Sequence, residues 1–381
     1  MAQQSSSAGS LKLSAAALRT AAGALAASPT PAAAQAPAAG ADPILTFFQN
    51  TELSGFVDGY YLYNFNKGAG GNALRAFDVT HNSFSLNLIE LAIERKPMSE
   101  SRGGYRIDFD YGPTAGFVNF VNATEIEHIQ QAYVSYLAPV GSGLQLDFGR
   151  FVTPHGAEVI ETKDNMNYSR SLLFTWAIPF AHTGLRASYS VNDMVTIGGF
   201  LVNGWDVNTD NNTGKTVGGM VTLKPFDALS VIAGYMGGPE QTGNNSDWRH
   251  LLDTTLSYTL NPKITLVGNY DYGHESFGAA GDAKWQGVAG YVKYQANDWF
   301  ALSPRFEIFS DTDGVRTGTA QDAKGVTVTA DVKHKDGVRL FIEYRRDFSN
   351  VDFFVDDAGA PVNHQDTVTF GMVYAFSSKT P

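Results

Sequence analysis

The chain has 381 residues, 43% of them hydrophobic and 17% charged, and no cysteine, so disulfides, thiolate metal sites and cysteine nucleophiles are excluded. A formal net charge of −11 argues against a nucleic-acid partner. No apolar run of roughly 18 residues follows the N-terminal stretch, which excludes a helical membrane protein. A mean hydropathy of −0.16 still permits membrane-crossing strands, each apolar on one face only. With 25 Phe, 17 Tyr and 39 Gly, the composition favours sheet and turns.

In chain order, Lys12 and Arg19 lie in an alanine-rich stretch over 11–27, which Arg19 interrupts, followed by Pro29, Pro31 and small residues up to Ala36. This reads as a secretory signal over 1–34 with cleavage near Ala34, then an Ala/Pro-rich lead-in over 35–50. The competing reading is a disordered tail on a cytosolic protein.

From Glu52 onward the pattern has a period of two. Tyr105, Ile107, Phe109 and Tyr111 alternate with Arg106, Asp108 and Asp110, and Leu185, Ala187 and Tyr189 alternate with Arg186, Ser188 and Ser190. Val338, Leu340, Ile342 and Tyr344 alternate with Arg339, Glu343 and Arg345, with Phe341 breaking the polar face. Val368, Phe370, Met372, Tyr374 and Phe376 share one face of the last segment, and Val373 is the one larger apolar residue on the other. Such alternation marks strands between two different environments, and the charged faces must meet water.

The spacing predicts about 16 strands, near 52–63, 82–96, 103–112, 126–138, 143–151, 184–191, 194–205, 216–225, 228–238, 247–260, 263–273, 284–296, 299–310, 323–333, 337–347 and 366–376. Short connections such as Asn192-Asp193, Pro225-Phe226-Asp227, Asn261-Pro262 and Asn297-Asp298 alternate with long, polar, glycine-rich ones. A closed antiparallel transmembrane β-barrel over 51–376 explains that asymmetry, with short turns at the periplasmic end beside both termini and long loops outside. Residues 377–381 form a short extension. Tyr60, Tyr61, Tyr63, Trp205, Trp248, Tyr270, Tyr272, Trp299 and Phe300 lie near strand ends and are expected in headgroup girdles.

Three stretches carry a family resemblance. They are Leu53-Ser54-Gly55-Phe56-Val57-Asp58-Gly59-Tyr60-Tyr61; Leu146-Asp147-Phe148-Gly149-Arg150-Phe151 with Pro154, Gly156, Ala157 and Glu158; and Asn167-Tyr168-Ser169-Arg170-Ser171 with 179–186. The chain resembles the putative β-barrel porin-2 family, OmpL-like, of bacterial outer membranes. That likeness implies an exported outer-membrane porin rather than an enzyme. Tyr374 and Phe376 are similar to the terminal signature read by the barrel-assembly machinery, although Ser377 to Pro381 extend past it.

The connection 152–183, roughly 30 residues, exceeds what structureless loops usually reach. Its Val159, Ile160, Met166, Leu172, Leu173, Phe174, Trp176 and Phe180 need burial. It is the third long loop, which folds inward in the general porins this chain resembles. Glu158, Glu161, Lys163, Asp164 and Arg170 are therefore candidate constriction residues facing wall charges, or else simple pairs that hold the loop. Candidate wall charges are Arg106, Asp108, Asp110, Arg186, Arg249, Arg305, Glu307, Arg339, Glu343 and Arg345, with Glu90, Lys263 and Asp271. Turning a Lys or Arg toward mid-membrane lipid would cost about 2–4 kcal/mol.

His155 and His182 are expected to be structural hydrogen-bonders, and no metal or cofactor is expected; acidic 206–210 reads as a solvated loop rather than a calcium site. Expected partners are outer-membrane lipids, the assembly machinery and small polar solutes, and a homotrimer is compatible with this reading. The acidic excess suggests a mild cation preference. Against a general diffusion pore stand a sugar-specific channel, which eyelet aromatics would favour, and a soluble all-β binding protein. An outer-membrane barrel enzyme is the remaining alternative, for which His81 and Ser83 are a poor catalytic pair and no Gly-x-Ser-x-Gly elbow exists.

Overall fold

A computed structural model describes residues 50–67, 71–119 and 126–379. The expected export signal, most of the lead-in and the last two residues lie outside that range. Sixteen strands form one closed antiparallel barrel. The first eight are β1 (Glu52–Asn64), β2 (Ser83–Arg95), β3 (Gly103–Tyr111), β4 (Ile129–Ala138), β5 (Leu144–Val152), β6 (Ala181–Ser190), β7 (Val195–Val202) and β8 (Thr216–Phe226). The others are β9 (Leu229–Pro239), β10 (Trp248–Asn261), β11 (Ile264–Ser276), β12 (Asp282–Asn297), β13 (Phe300–Asp311), β14 (Gln321–Lys333), β15 (Val338–Ser349) and β18 (His364–Ser377). A small hairpin, β16 (Phe354–Val355) with β17 (Pro361–Val362), decorates the last long loop, and a helix of two turns, α1 (Pro113–Val118), the second.

Neighbours in sequence are neighbours in the sheet, and β18 closes the ring by pairing with β1 in the register Gly55↔Phe376 to Asn64↔Thr367. Every predicted strand is present. The largest boundary differences, of three residues, are at β4, which starts at Ile129 rather than 126, β6, which starts at Ala181 rather than 184, β7, which stops at Val202 rather than 205, and β11, which runs to Ser276 rather than 273.

The alternation translates directly into two surfaces. On β13, Phe306 and Ile308 are exposed on the outside while Arg305 and Glu307 are buried inside. On β3, Asp108 and Asp110 are buried, and Tyr111 is exposed. This is inverted relative to a soluble protein: the charges sit within, and the outer face is a band of Leu, Val, Ile and aromatic side chains suited to lipid.

The short connections share a device. Asn192 Oδ1 accepts the N–H groups of Met194 and Val195, both at 2.9 Å. Asn261 accepts those of Lys263 and Ile264 at 2.9 and 3.0 Å, and Asn297 those of Trp299 and Phe300 at 3.1 and 2.9 Å. Each side chain stands in for a backbone turn acceptor, so a tight reversal needs few residues. The long connections all leave the opposite rim, and it is these that reach the interior.

Candidate functional site

The third long loop, 153–180, contains a single 3-10 turn (Thr162–Asp164) and a one-turn π-helix (Leu173–Ala177). Val159, Ile160, Leu172, Leu173, Phe174 and Phe180 are buried, while Met166 and Trp176 are half-buried. Their partners are inner-face residues of the barrel. The backbone N–H groups of Tyr168 and Ser169 donate to Glu343 at 2.8 and 3.1 Å, and that of Leu172 donates to Glu307 at 2.5 Å. Asn167 donates to Ser303 O and Thr329 Oγ1 at 2.9 and 2.7 Å. From the wall, Arg305 donates to Ser169 O at 2.7 Å, Arg345 to Arg170 O at 2.5 Å, and the Trp285 indole to Ala177 O at 3.0 Å. On β1, Asp58 accepts from Thr162 and Tyr168 at 2.6 and 2.8 Å.

The two apolar exceptions on polar faces find their reason here. Phe341 meets the Tyr168 ring at 5.7 Å and 61°, and Val373 belongs to the same buried cluster. Gly371, between them on the inner wall, leaves the space the ring fills; a Cβ there would overlap it.

The candidate loop charges are arranged as follows. Glu158 bridges loop and wall: one oxygen pairs with Arg305 at 2.9 Å, the other accepts the Ser171 N–H at 2.6 Å. Glu161 accepts from Gln130 on β4 at 2.9 Å. Lys163 pairs with Asp164 at 2.5 Å and lies 5.5 Å from the centre of the Phe56 ring. Burial alone would lower the Lys163 pKa, but Asp164, Glu90 and Glu161 around it push it upward. Arg170 turns back into its own loop, donating to the carbonyls of Val159, Tyr168 and Ile160 and stacking on Phe77.

The wall charges come largely as ion pairs. Arg305 meets Glu307 at 3.2 Å, Arg345 meets Glu307 at 3.5 Å, and Arg339 meets Asp331 at 2.7 Å. Arg186 meets Asp147 at 2.8 Å, Arg106 meets Asp108 at 2.9 Å, and Arg249 meets Glu275 at 2.6 Å. Glu343 is occupied by the loop backbone instead. Such pairing offsets much of the desolvation that burial imposes on each charge.

Three expectations need correction. Lys263 is exposed in the turn 262–263 and is not a wall charge, because β10 ends at Asn261 and its acceptor side chain forces the reversal there. Trp205 is not in a girdle: β7 has already ended, so strand alternation no longer governs it. It lies buried inside, at right angles to Trp285 (6.1 Å, 85°), with Arg249 and Arg316 over its ring at 5.0 and 5.1 Å. Tyr60 also points inward, against Tyr168 at 5.8 Å. Trp248, Tyr270 and Trp299 do face outward.

Several participants escaped the sequence reading. The first long loop enters too: Arg75 pairs with Asp78 at 2.5 Å and Asp347 at 3.0 Å, beside buried Leu74 and Phe77. Burial raises the Asp78 pKa, against the pull of Arg75. The apolar pair Leu74 and Phe77 around a charged residue was the available signal. Asp58 and Asp253 gave none, each being an isolated acid in the middle of an otherwise ordinary strand.

His182 bonds Gly204 O and Thr153 Oγ1 at 3.0 and 3.3 Å, and His155 stands 3.7 Å from Asp253. His81 accepts the Asn64 N–H at 2.9 Å, and Ser83 bonds Phe84 O. In the 206–210 loop, Asp206 accepts two backbone N–H groups and Asp210 pairs with Lys215. Tyr374 and Phe376 are exposed on the outer face with rings 6.5 Å apart.

A family model described as "Putative beta-barrel porin-2, OmpL-like" matches residues 50–376. No curated protein sequence matches. Among solved structures, the chain is similar to the anion-selective porin from Comamonas acidovorans (12% identity, 86% of this chain and 99% of that one, TM-score 0.60). It is also similar to the outer-membrane protein OmpT of Vibrio cholerae (10% identity, 86% and 97%, TM-score 0.58), which is known in a trimer form as well. OmpF of Salmonella typhi gives 16% identity over 86% and 97%, with a TM-score of 0.56.

Proposed function

Because the chain belongs to the β-barrel porin-2, OmpL-like family of outer-membrane channels, which are not enzymes, we propose that it gives passive diffusion of small hydrophilic solutes and ions through a water-filled lumen narrowed by loop 153–180. The observation that carries this reading is the bonding of that loop to inner-face side chains of β1, β4 and β12–β15, on widely separated arcs of the ring. A cross-section bridged in this way passes only small solutes. The loop acids and bases on it, Glu158, Glu161, Lys163, Asp164 and Arg170, set its field together with the paired wall charges. Acidic excess in the chain favours cations mildly. By analogy with the trimer form of OmpT, three copies assemble in the outer membrane, after export directed by residues 1–34.

Planar-bilayer recording of the refolded protein tests this. Stepwise openings are expected, and deletion of 166–174 should raise the step size, since that segment occupies the lumen. Unchanged steps in the deletion variant would remove the constriction, and a membrane that stays silent would remove the pore.

A further inference from the structure

Where the third loop meets β2, β3 and β4, the acids Glu90, Asp108, Asp110 and Glu161 cluster, with Lys163, Arg106 and Arg150 as the nearby bases. Glu90 and Asp110 are directly opposed in the β2–β3 ladder, and both are buried on the inner face. Glu161 of the loop, itself buried, is the strongest like-charged neighbour of each. Among the described residues, one oxygen of Glu90 and both of Asp110 accept no hydrogen bond. Gln130 on β4 is fully buried, and its amide head is fixed at this spot by its bond to Glu161. Its own Oε1 also has no partner.

The nearby charges make their hydrogen bonds elsewhere, Arg150 only in part. Asp108 is held by Arg106 at 2.9 Å and Gln131 at 2.5 Å, and Lys163 is held by Asp164. Arg150 donates Nη2 to Asn119 O at 2.9 Å, while its Nε and Nη1 reach no acceptor. Asp58 accepts from Asn87, Thr162 and Tyr168. Arg170 is folded onto its own loop. His128 meets the backbone carbonyl of Asp110 at 3.1 Å and stacks on the Tyr111 ring at 4.6 Å.

Three mutually facing carboxylates closed off from water are strongly disfavoured when all are ionised. Lys163 and Arg150 offset this only at a distance, with no hydrogen bond to Glu90 or Asp110 among the described residues, so a further cation is favoured at the site. Among the described residues no three His, Asp or Glu groups converge on a point that suits a metal ion. A proton needs no cavity, and it turns an orphaned carboxylate into a donor for the unpartnered oxygens beside it.

We propose that Glu90, Asp110 and Glu161 form a proton-binding site shared by the barrel wall and the third loop, and that protonation holds the loop in its seat. This rests on the pore reading above. As the pH rises the site loses protons and like charges appear on both sides of the contact. The wall strands are fixed by their ladders, so the limb of the loop around Glu161 is what moves. The pore is therefore narrow in acid and wider at neutral pH.

The test is single-channel conductance of the refolded protein between about pH 4.5 and pH 8, read beside the variants Glu161→Gln and Asp110→Asn. The wild type should gain about twofold or more in step size or open probability across that range, over a broadened transition because the acids titrate together. Both variants should keep near the acid value throughout. A pH-independent wild type, or variants that respond as the wild type does, would overturn the proposal while leaving the pore intact. Silence at every pH would count against the pore itself. The site is then read by hydrogen exchange in detergent, where protection of 158–165, corrected for the intrinsic rate, should fall with pH in the wild type alone; equal protection in all three proteins overturns it.

Discussion

Asp206 combines an unusual backbone with an uncomfortable charge. Its φ of 57° lies in the left-handed region, which Asp and Asn tolerate better than other side chains. The carboxylate accepts the N–H groups of Phe180 and Ala181 at 2.5 and 3.1 Å, fixing the point where the long loop returns to β6. Burial pushes its pKa up to about 6, despite those two bonds and the nearby Arg316 and Arg150, which act the other way. A carboxyl raised in the folded state contributes stability that is complete below its unfolded value, about 4, and lost as the pH climbs through about 6. Asp206→Asn keeps both the acceptor oxygen and the backbone preference but cannot ionise. The variant should therefore melt at a higher temperature than the wild type at about pH 7.5 and together with it near pH 4. Melting that is lower at both values would show that the charge itself is needed. Gly371 makes a different point: its meaning lies in the Tyr168 ring, and nothing around it in the last strand announces that partner.

The turns offer a cleaner experiment than the loops, because each is one side chain doing the same task. Asn261 and Asn297 each accept two N–H groups at the short-turn end of the barrel. Replacing either by Ala should cost about 1 kcal/mol, the typical worth of such bonds at a partly exposed site. A urea titration of the barrel refolded into vesicles reads this as a lowered midpoint with an unchanged slope. No shift in the double variant would mean that strand pairing alone sets these reversals. The third loop is bound differently, through Glu343, Glu307 and Asp58 on strands distant in sequence. Its apolar content and length were visible in the chain, which is why its burial was expected. Its seat was not, because Arg305 and Thr329 had no mark separating them from other inward residues, and Phe341, though it breaks the polar face, does not name its partner. The first loop shows the same limit: Leu74, Arg75 and Phe77 fill the lumen beside Asp347, yet a short apolar motif between turn residues reads equally well as surface.

Closure gives the molecule its two solvents. Phe306 sits near the middle of β13 on the outer face, one position from buried Arg305. Phe306→Arg places a guanidinium in hydrocarbon and should lower folding stability in vesicles by about 2–4 kcal/mol. The loss should shrink in a short-chain detergent, and an equal loss in both would mean that the outer face does not meet lipid. The strand count, the alternation of faces and the contrast between short and long connections were all legible in the sequence. Each is local: a strand of ten residues records both of its environments in its own side chains, and loop lengths are simply counted. Trp205 and Lys263 were misplaced at strand ends, where that record stops. What only the tertiary structure decided is which polar groups meet inside. Tyr168 and Asp58 are 110 positions apart, and Arg305 and Glu158 are 147 apart. Such pairs come together only when the first and last strands join, so no stretch of sequence contains both the question and its answer.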